Sequence, residues 1–197
     1  MRKQYSKEEF YTRKAREENY PARSVYKLKE INEKYKIIKP GDKVLDLGCA
    51  PGSWLLYISE KVGEKGMVVG VDLRSINIPE KKNIIFIKKD ILELETQKLK
   101  MKYNAVVSDL APNTSGIDFA DVEESLELSE ETLEIAKKVL VNGGNFVCKI
   151  LEGEGINDFF KKIKSGFEFC KRFRPKATRR ESREIYIVAK NFKYESV

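Results

Sequence analysis

Four aspartates and one glycine turn are the residues of this chain best placed to do chemistry. Asp46-Leu47-Gly48-Cys49-Ala50-Pro51-Gly52 follows the apolar run Lys43 to Leu47, and Asp72, Asp90 and Asp109 each follow a later apolar run. A strand, a glycine turn and a helix in succession let backbone N–H groups approach a ligand closely. The GxxxxGK[ST] pattern of a phosphate loop is absent. A GxGxxG dinucleotide fingerprint also fails, since Ala50 and Ser53 stand where two of its three glycines belong. A third reading is a site for S-adenosylmethionine. That cofactor has no phosphate, and its ribose diol suits a carboxylate at the end of the second strand. Asp72 lies 20 residues after Gly52, the spacing of a ribose-binding acid. Asp90 could accept from the adenine amino group, and Trp54, the only tryptophan, could cover the cofactor or be plain core. Each aspartate alone reads as a strand-end cap. Three at consecutive strand ends, beside a glycine turn, favour a site.

Other chemistries are excluded by what the 197 residues lack. There is no histidine, which removes imidazole bases, His-metal sites and Ser-His-Asp triads. The cysteines are Cys49, Cys148 and Cys170, with no CxxC pair, so neither a disulfide framework nor a metal site is expected. The N-terminal MRKQYSKEEF has no apolar core of a signal peptide. No apolar run reaches the roughly 18 residues of a membrane span. The expectation is a soluble, cytoplasmic, monomeric protein with no membrane partner.

The net charge, 38 − 31 = +7, is unevenly spread. Residues 1–43 hold thirteen Lys or Arg against seven acids, and residues 161–193 hold twelve against three. Residues 118–134 hold eight acids and no base, which reads as a solvated helix face. Two basic ends brought together by the fold would make one surface attractive to phosphates. Tyr5, Phe10, Tyr11, Tyr20, Tyr26, Phe169 and Phe173 interleave with these charges and either stack on unpaired bases or pack in the core.

These residues need elements to hold them. Ser6 to Glu9 reads as a capping box before a polar helix that Pro21 ends. Further helices are expected at about 22–35, 53–62, 121–141 and 156–163, the one at 121–141 terminated by Gly143-Gly144. Strands are expected at 43–47, 67–71, 83–88, 104–108, 145–150, 168–173 and 184–189. The alternation predicts an α/β fold, a mostly parallel sheet with helices on both faces. Only a loop joins the last two strands, so they must pair antiparallel. Ligands of such sheets bind at the carboxyl ends of the strands. No linker marks a second domain in 1–197.

Five motifs in order make the reading more specific. Asp46 to Trp54 resembles the DLGxAPGGW cofactor loop of the FtsJ/RrmJ-like ribose 2′-O-methyltransferases of RNA, and Ser108 to Gly116 resembles their SDxAPxxSG motif. Lys149 with Glu152-Gly153-Glu154-Gly155, Ser182 to Val188, and Arg23 to Leu28 are similar to their fifth-strand lysine and GEG tail, their SREIY strand and their R-S-x-x-K-L helix. The match runs from about residue 5 to 190. Ser53 and Cys49 are mild departures, standing where the family commonly has Gly and Ala. The resemblance implies the Rossmann-like class I methyltransferase fold, a seven-stranded sheet with its last strand antiparallel. It implies a catalytic core over 41–190 and an RNA contact on the basic helices of 1–40. It places a catalytic Lys-Asp-Lys-Glu set on Lys27, Asp109, Lys149 and Glu184, and cofactor contacts on Gly52, Trp54, Asp72, Asp90 and Asp109.

The implied reaction moves a methyl group from S-adenosylmethionine to a ribose 2′-hydroxyl. Lys149 is the expected base, neutral when it acts, or else a cation that steadies the developing oxyanion. Desolvation and Lys27 favour the first, and Asp109 and Glu184 the second, so the proton belongs to the group. The compact chain looks most like members acting on a uridine of 23S ribosomal RNA in the large subunit. A tRNA 2′-O-ribose methyltransferase and a non-catalytic RNA-binding ribosome-assembly factor are the alternatives.

Overall fold

The computed structural model describes residues 7–99, 101–112 and 118–194. The elements run α1 (Lys7–Glu17), α2 (Val25–Tyr35), β1 (Lys43–Leu47), α3 (Ser53–Val62), β2 (Met67–Asp72), β3 (Ile84–Lys88), β4 (Tyr103–Ser108), α4 (Asp118–Val139), β5 (Leu140–Leu151), α5 (Ile156–Gly166), β6 (Phe167–Phe173) and β7 (Glu184–Phe192). All seven strands form one sheet in the order β3-β2-β1-β4-β5-β7-β6. The pairs from β3 to β5 are parallel, and β7 runs antiparallel between β5 and β6. This is the fold class expected from the sequence.

Each inner strand is apolar on both sides because helices cover both faces. Successive side chains point to opposite faces. Thus Leu45, Leu47, Val69 and Val106 pack with α4 and α5, through Leu133, Ala136, Phe159 and Ile163. Val44, Val68, Ala105, Val107 and Val147 pack with α2 and α3, through Leu28, Ile31, Leu55 and Ile58. The alternation also sorts the polar residues. Lys149 lies two positions after Val147, and Tyr186 and Glu184 lie two and four before Val188, so all three share the face that α2 covers. Asp46, two after Val44, shares it as well.

From β1 the chain builds outward through β2 to β3, then returns to add β4 on the other side of β1. That reversal opens a crevice beyond the carboxyl ends of β1 and β4, where ligands of open α/β sheets bind.

The differences from expectation are local. The fourth helix covers Asp118–Val139, and the next strand begins at Leu140, ahead of the Gly143-Gly144 pair expected to end the helix. Leu140 is fully buried and pairs with Tyr103, after which the register jumps to Ala105 opposite Asn145. The glycines form the excursion between these pairs, with Gly143 at φ +78°. Burial of Leu140 sets the boundary there. The Ser6 end of the expected capping box lies outside the described residues.

Candidate active site

The turn after β1 is shaped by two glycines in the left-handed region, Gly48 at φ +78° and Gly52 at +109°. Side chains there would be strained and would collide, since a Cβ on Gly48 would lie 2.5 Å from Leu110 and one on Gly52 2.5 Å from Ile78. The Gly48 and Cys49 N–H groups donate to the Val71 carbonyl, fastening the turn to β2. Ser53 is not a neutral replacement, because its hydroxyl accepts from the Ala22 N–H at 2.6 Å and ties the entry to α2 onto α3.

A cavity of about 390 Å³ opens at this edge, lined by Gly48, Asp72, Arg74, Lys89, Asp90, Asp109, Leu110 and Glu124, among others. Asp72, ending β2, accepts from the Ala50 N–H at 2.8 Å and from the Arg74 N–H at 2.8 Å. Asp90 lies two residues beyond β3 and accepts from the Leu92 N–H, capping a short 3-10 turn. The structure thus gathers Asp72, Asp90 and Asp109 around one space. Gly52 and Trp54 do not line that space. Gly52 opens α3, and the Trp54 indole is buried 6.1 Å from the Tyr186 ring, donating to the Ser24 carbonyl.

Beneath the turn sits Asp46, fully buried, with no hydrogen-bond partner among the described residues for either carboxylate oxygen. Burial, and then the charges of Asp109 and Asp72, push its carboxyl well above the usual range. The sequence places Asp46 at a strand end but does not show its isolation, which depends on what neighbouring strands fail to donate.

Lys27, Asp109, Lys149 and Glu184 meet at the same edge. The Lys149 Nζ donates to the Asp109 carbonyl oxygen at 2.7 Å, and lies 3.3 Å from Asp109 Oδ1 and 3.9 Å from Glu184 Oε1. Lys27, on the first turn of α2, donates to Glu184 Oε2 at 2.7 Å across 157 positions of sequence. Lys149 pairs in register with Tyr186, and Leu151 with Glu184, which sets the amine beside both side chains. The Tyr186 hydroxyl donates to Asp109 Oδ1 at 2.6 Å. Burial alone would raise the Asp109 carboxyl; Lys149, Lys27 and the Tyr186 hydroxyl outweigh it and hold the group below its usual value. Tyr186 itself is pushed well up by burial and by the charges of Asp109 and Glu184, so it stays a neutral donor. Its role was visible only as a letter of the SREIY motif.

The two basic ends also come together. Arg23 meets Arg174, Lys176, Arg179 and Arg180, of the loop between β6 and β7, around an open cleft of about 800 Å³. A second cavity, of about 320 Å³, is lined by Arg23, Arg179, Lys27 and Glu184. Most of the interleaved rings serve packing. Tyr20 and Tyr26 are buried, Phe169 and Phe173 lie against Tyr35, and Phe10 is the exposed one among those described. Tyr5 lies outside the described residues.

Sequence comparison decides the family. The model of the FtsJ-like methyltransferases matches residues 20–192. The chain belongs to the FtsJ-like methyltransferase family. An FtsJ-like relative, the ribosomal RNA large subunit methyltransferase E of Desulfatibacillum aliphaticivorans, is 49% identical over 181 residues, covering 90% of this chain and 87% of the relative. The crystal structure of a ribosomal RNA methyltransferase from Plasmodium falciparum is 30% identical with a TM-score of 0.78, covering 88% of this chain and 98% of that one. Aeropyrum pernix fibrillarin, solved with natively bound S-adenosyl-L-methionine, shares the fold at a TM-score of 0.57 and 18% identity, over 78% of this chain and 68% of that one. The FtsJ-like motifs read from the sequence lie at the carboxyl edge, on the entry to α2 and on β7, with Asn113 to Gly116 of the second motif outside the described residues.

Proposed function

We propose that this FtsJ-like chain transfers a methyl group from S-adenosylmethionine to a ribose 2′-hydroxyl of RNA, on a uridine of 23S ribosomal RNA. The observation carrying this reading is the gathering of Lys27, Asp109, Lys149 and Glu184 where the Gly48 cavity and the basic cleft approach one another. The relatives' name, ribosomal RNA large subunit methyltransferase, supports the choice of RNA.

The cavity suits the cofactor. Its lining holds Asp72, Asp90, Asp109 and Glu124 against the cations Arg74 and Lys89, with Asp46 unpartnered below. Such a site attracts a cationic, hydroxyl-bearing ligand and repels a pyrophosphate. Asp72 would take the ribose hydroxyls and Asp90 the adenine amino group. The narrow approach at Gly48 would admit the ligand against the backbone, and Gly52 and Trp54 would hold the turn and α3 in place around it. When bound, S-adenosylmethionine supplies a methyl group on a sulfonium, an excellent leaving group.

The protein's own work is then alignment and proton handling. Restricting the hydroxyl to one line of attack supplies several kcal/mol. Lys149, fixed by the Asp109 carbonyl and flanked by two carboxylates, holds the 2′-hydroxyl. The proton leaves into the hydrogen-bonded group of Lys149, Asp109, Glu184 and Lys27, which shares it as one unit. Tyr186 and Lys27 keep the two carboxylates in position.

We place the protein in the cytoplasm as a monomer; among the described residues no helix is long and apolar enough to cross a membrane. Methyl transfer from tritiated cofactor to separated ribosomal and transfer RNAs, followed by mapping of the modified ribose, tests the function. Label on a uridine of large-subunit RNA is expected. Label confined to tRNA would move the assignment to the tRNA-modifying alternative. RNA binding with no transfer to any RNA would leave only an assembly factor.

A further inference from the structure

Arg23 and Arg179 come from opposite ends of the chain and share one carboxylate. Glu8, in the first turn of α1, lies 3.1 Å from the Arg23 guanidinium and 2.5 Å from that of Arg179. All three line the open cleft, and the two arginines also line the smaller cavity that ends on Lys27 and Glu184. Two guanidinium groups converging on one anionic oxygen, Glu8 Oε1, would suit an oxygen of a phosphodiester as well as that of a carboxylate. Glu8 therefore occupies the place a backbone phosphate would take.

The loop carrying Arg179 does not depend on Glu8 for its shape. Glu30, on α2, accepts from the backbone N–H groups of Lys176 and Ala177 at 2.7 and 3.0 Å. The Arg174 guanidinium donates to the carbonyl oxygens of Arg179, Arg180 and Ser182. The clamp would persist with Glu8 gone. Glu8 is itself 42% exposed, so its two ion pairs are weak enough to be exchanged.

We propose that Arg23 and Arg179 clamp an RNA phosphodiester beside the methylated ribose, and that Glu8 is an internal competitor that holds the clamp until RNA displaces it. The inference rests on the RNA reading above. It gives α1 a gating role. A stray anion exchanges with Glu8 for little gain, whereas an RNA that also delivers a ribose to Lys27 and Glu184 gains on both counts.

The test is binding of a fluorescein-labelled transcript of large-subunit ribosomal RNA to the full-length protein, between about 0.05 and 0.2 M salt. Glu8→Gln should tighten binding by roughly threefold to tenfold, and Glu8→Ala should do the same. Glu17→Gln makes the same charge change at the far end of α1, where Glu17 pairs with Arg13 at 3.4 Å. It should change affinity by less than about twofold. Arg179→Gln should weaken binding, and in its background the gain from Glu8→Gln should shrink to under about twofold. Equal tightening by Glu8→Gln and Glu17→Gln would reduce the effect to net charge and overturn the proposal. So would unchanged or weaker binding by both Glu8 variants, which would make Glu8 a strut. Methyl transfer by wild type, run alongside, separates the two levels. A wild type that transfers methyl while the Glu8 variants gain nothing sinks the clamp alone, and a wild type that neither binds RNA nor transfers sinks the functional reading.

Discussion

Asp46, in β1, is fully buried and Asp109, just past the neighbouring β4, is partly so, but among the described residues only Asp109 has cations beside it. Their response to pH should be opposite in sign. A carboxyl raised by folding contributes fully below its unfolded value, near about 4, and loses that contribution as pH rises. A carboxyl lowered by folding contributes above that value and loses it as pH falls through the folded value. Asp46→Asn should therefore be more stable than wild type at pH 7 by about 1–3 kcal/mol, the gap closing toward about pH 4. Asp109→Asn should be less stable at pH 7 by about 2–4 kcal/mol, the gap closing in acid. Urea denaturation from about pH 3 to 8 measures both, and parallel pH profiles for the three proteins would contradict the assignment. Asp72, Asp90 and Asp109 were legible because each follows an apolar run, and Lys27, Lys149 and Glu184 because each falls in a motif of the family. The orphaned state of Asp46 and the hydrogen bond of Tyr186 were not, since each depends on a partner strand distant in sequence.

Elements hold the site through two junctions. One is the glycine turn between β1 and α3, and the other is the β5–β7 register that sets Lys149 beside Tyr186 and Glu184. The turn is the more brittle, because Gly48 combines a positive φ with a close approach to Leu110, which also lines the cavity. Gly48→Ala should cost about 1–3 kcal/mol in stability and weaken binding of S-adenosylhomocysteine by roughly tenfold or more, as Leu110 is driven aside. Calorimetric titration reads this, and affinity within about twofold of wild type would show that the turn has room. Hydrophobic runs and glycines made most strand and helix boundaries legible. The start of β5 was not, because the pairing of buried Leu140 with Tyr103 is a tertiary choice that overrides the local Gly-Gly signal.

At the scale of the molecule, a mostly parallel sheet whose strand order reverses at β1, with β7 antiparallel, brings side chains from positions 27, 109, 149 and 184 to one edge. The same topology places the basic loop between β6 and β7 against the entry to α2, so the two positive ends of the sequence become one cleft. The motif order along the chain carried the family and the fold, since each motif marks a strand end or helix start on that edge. It could not carry the Glu8 bridge between Arg23 and Arg179, which joins three elements that share no sequence pattern. The central claim is that the Lys149 amine acts on the ribose hydroxyl, and single-turnover methyl transfer to large-subunit RNA by Lys149→Ala tests it most directly. The rate should fall by about 10²–10⁴-fold, with RNA and cofactor affinities each within about twofold of wild type. A rate near that of wild type at saturating RNA and cofactor would contradict the account.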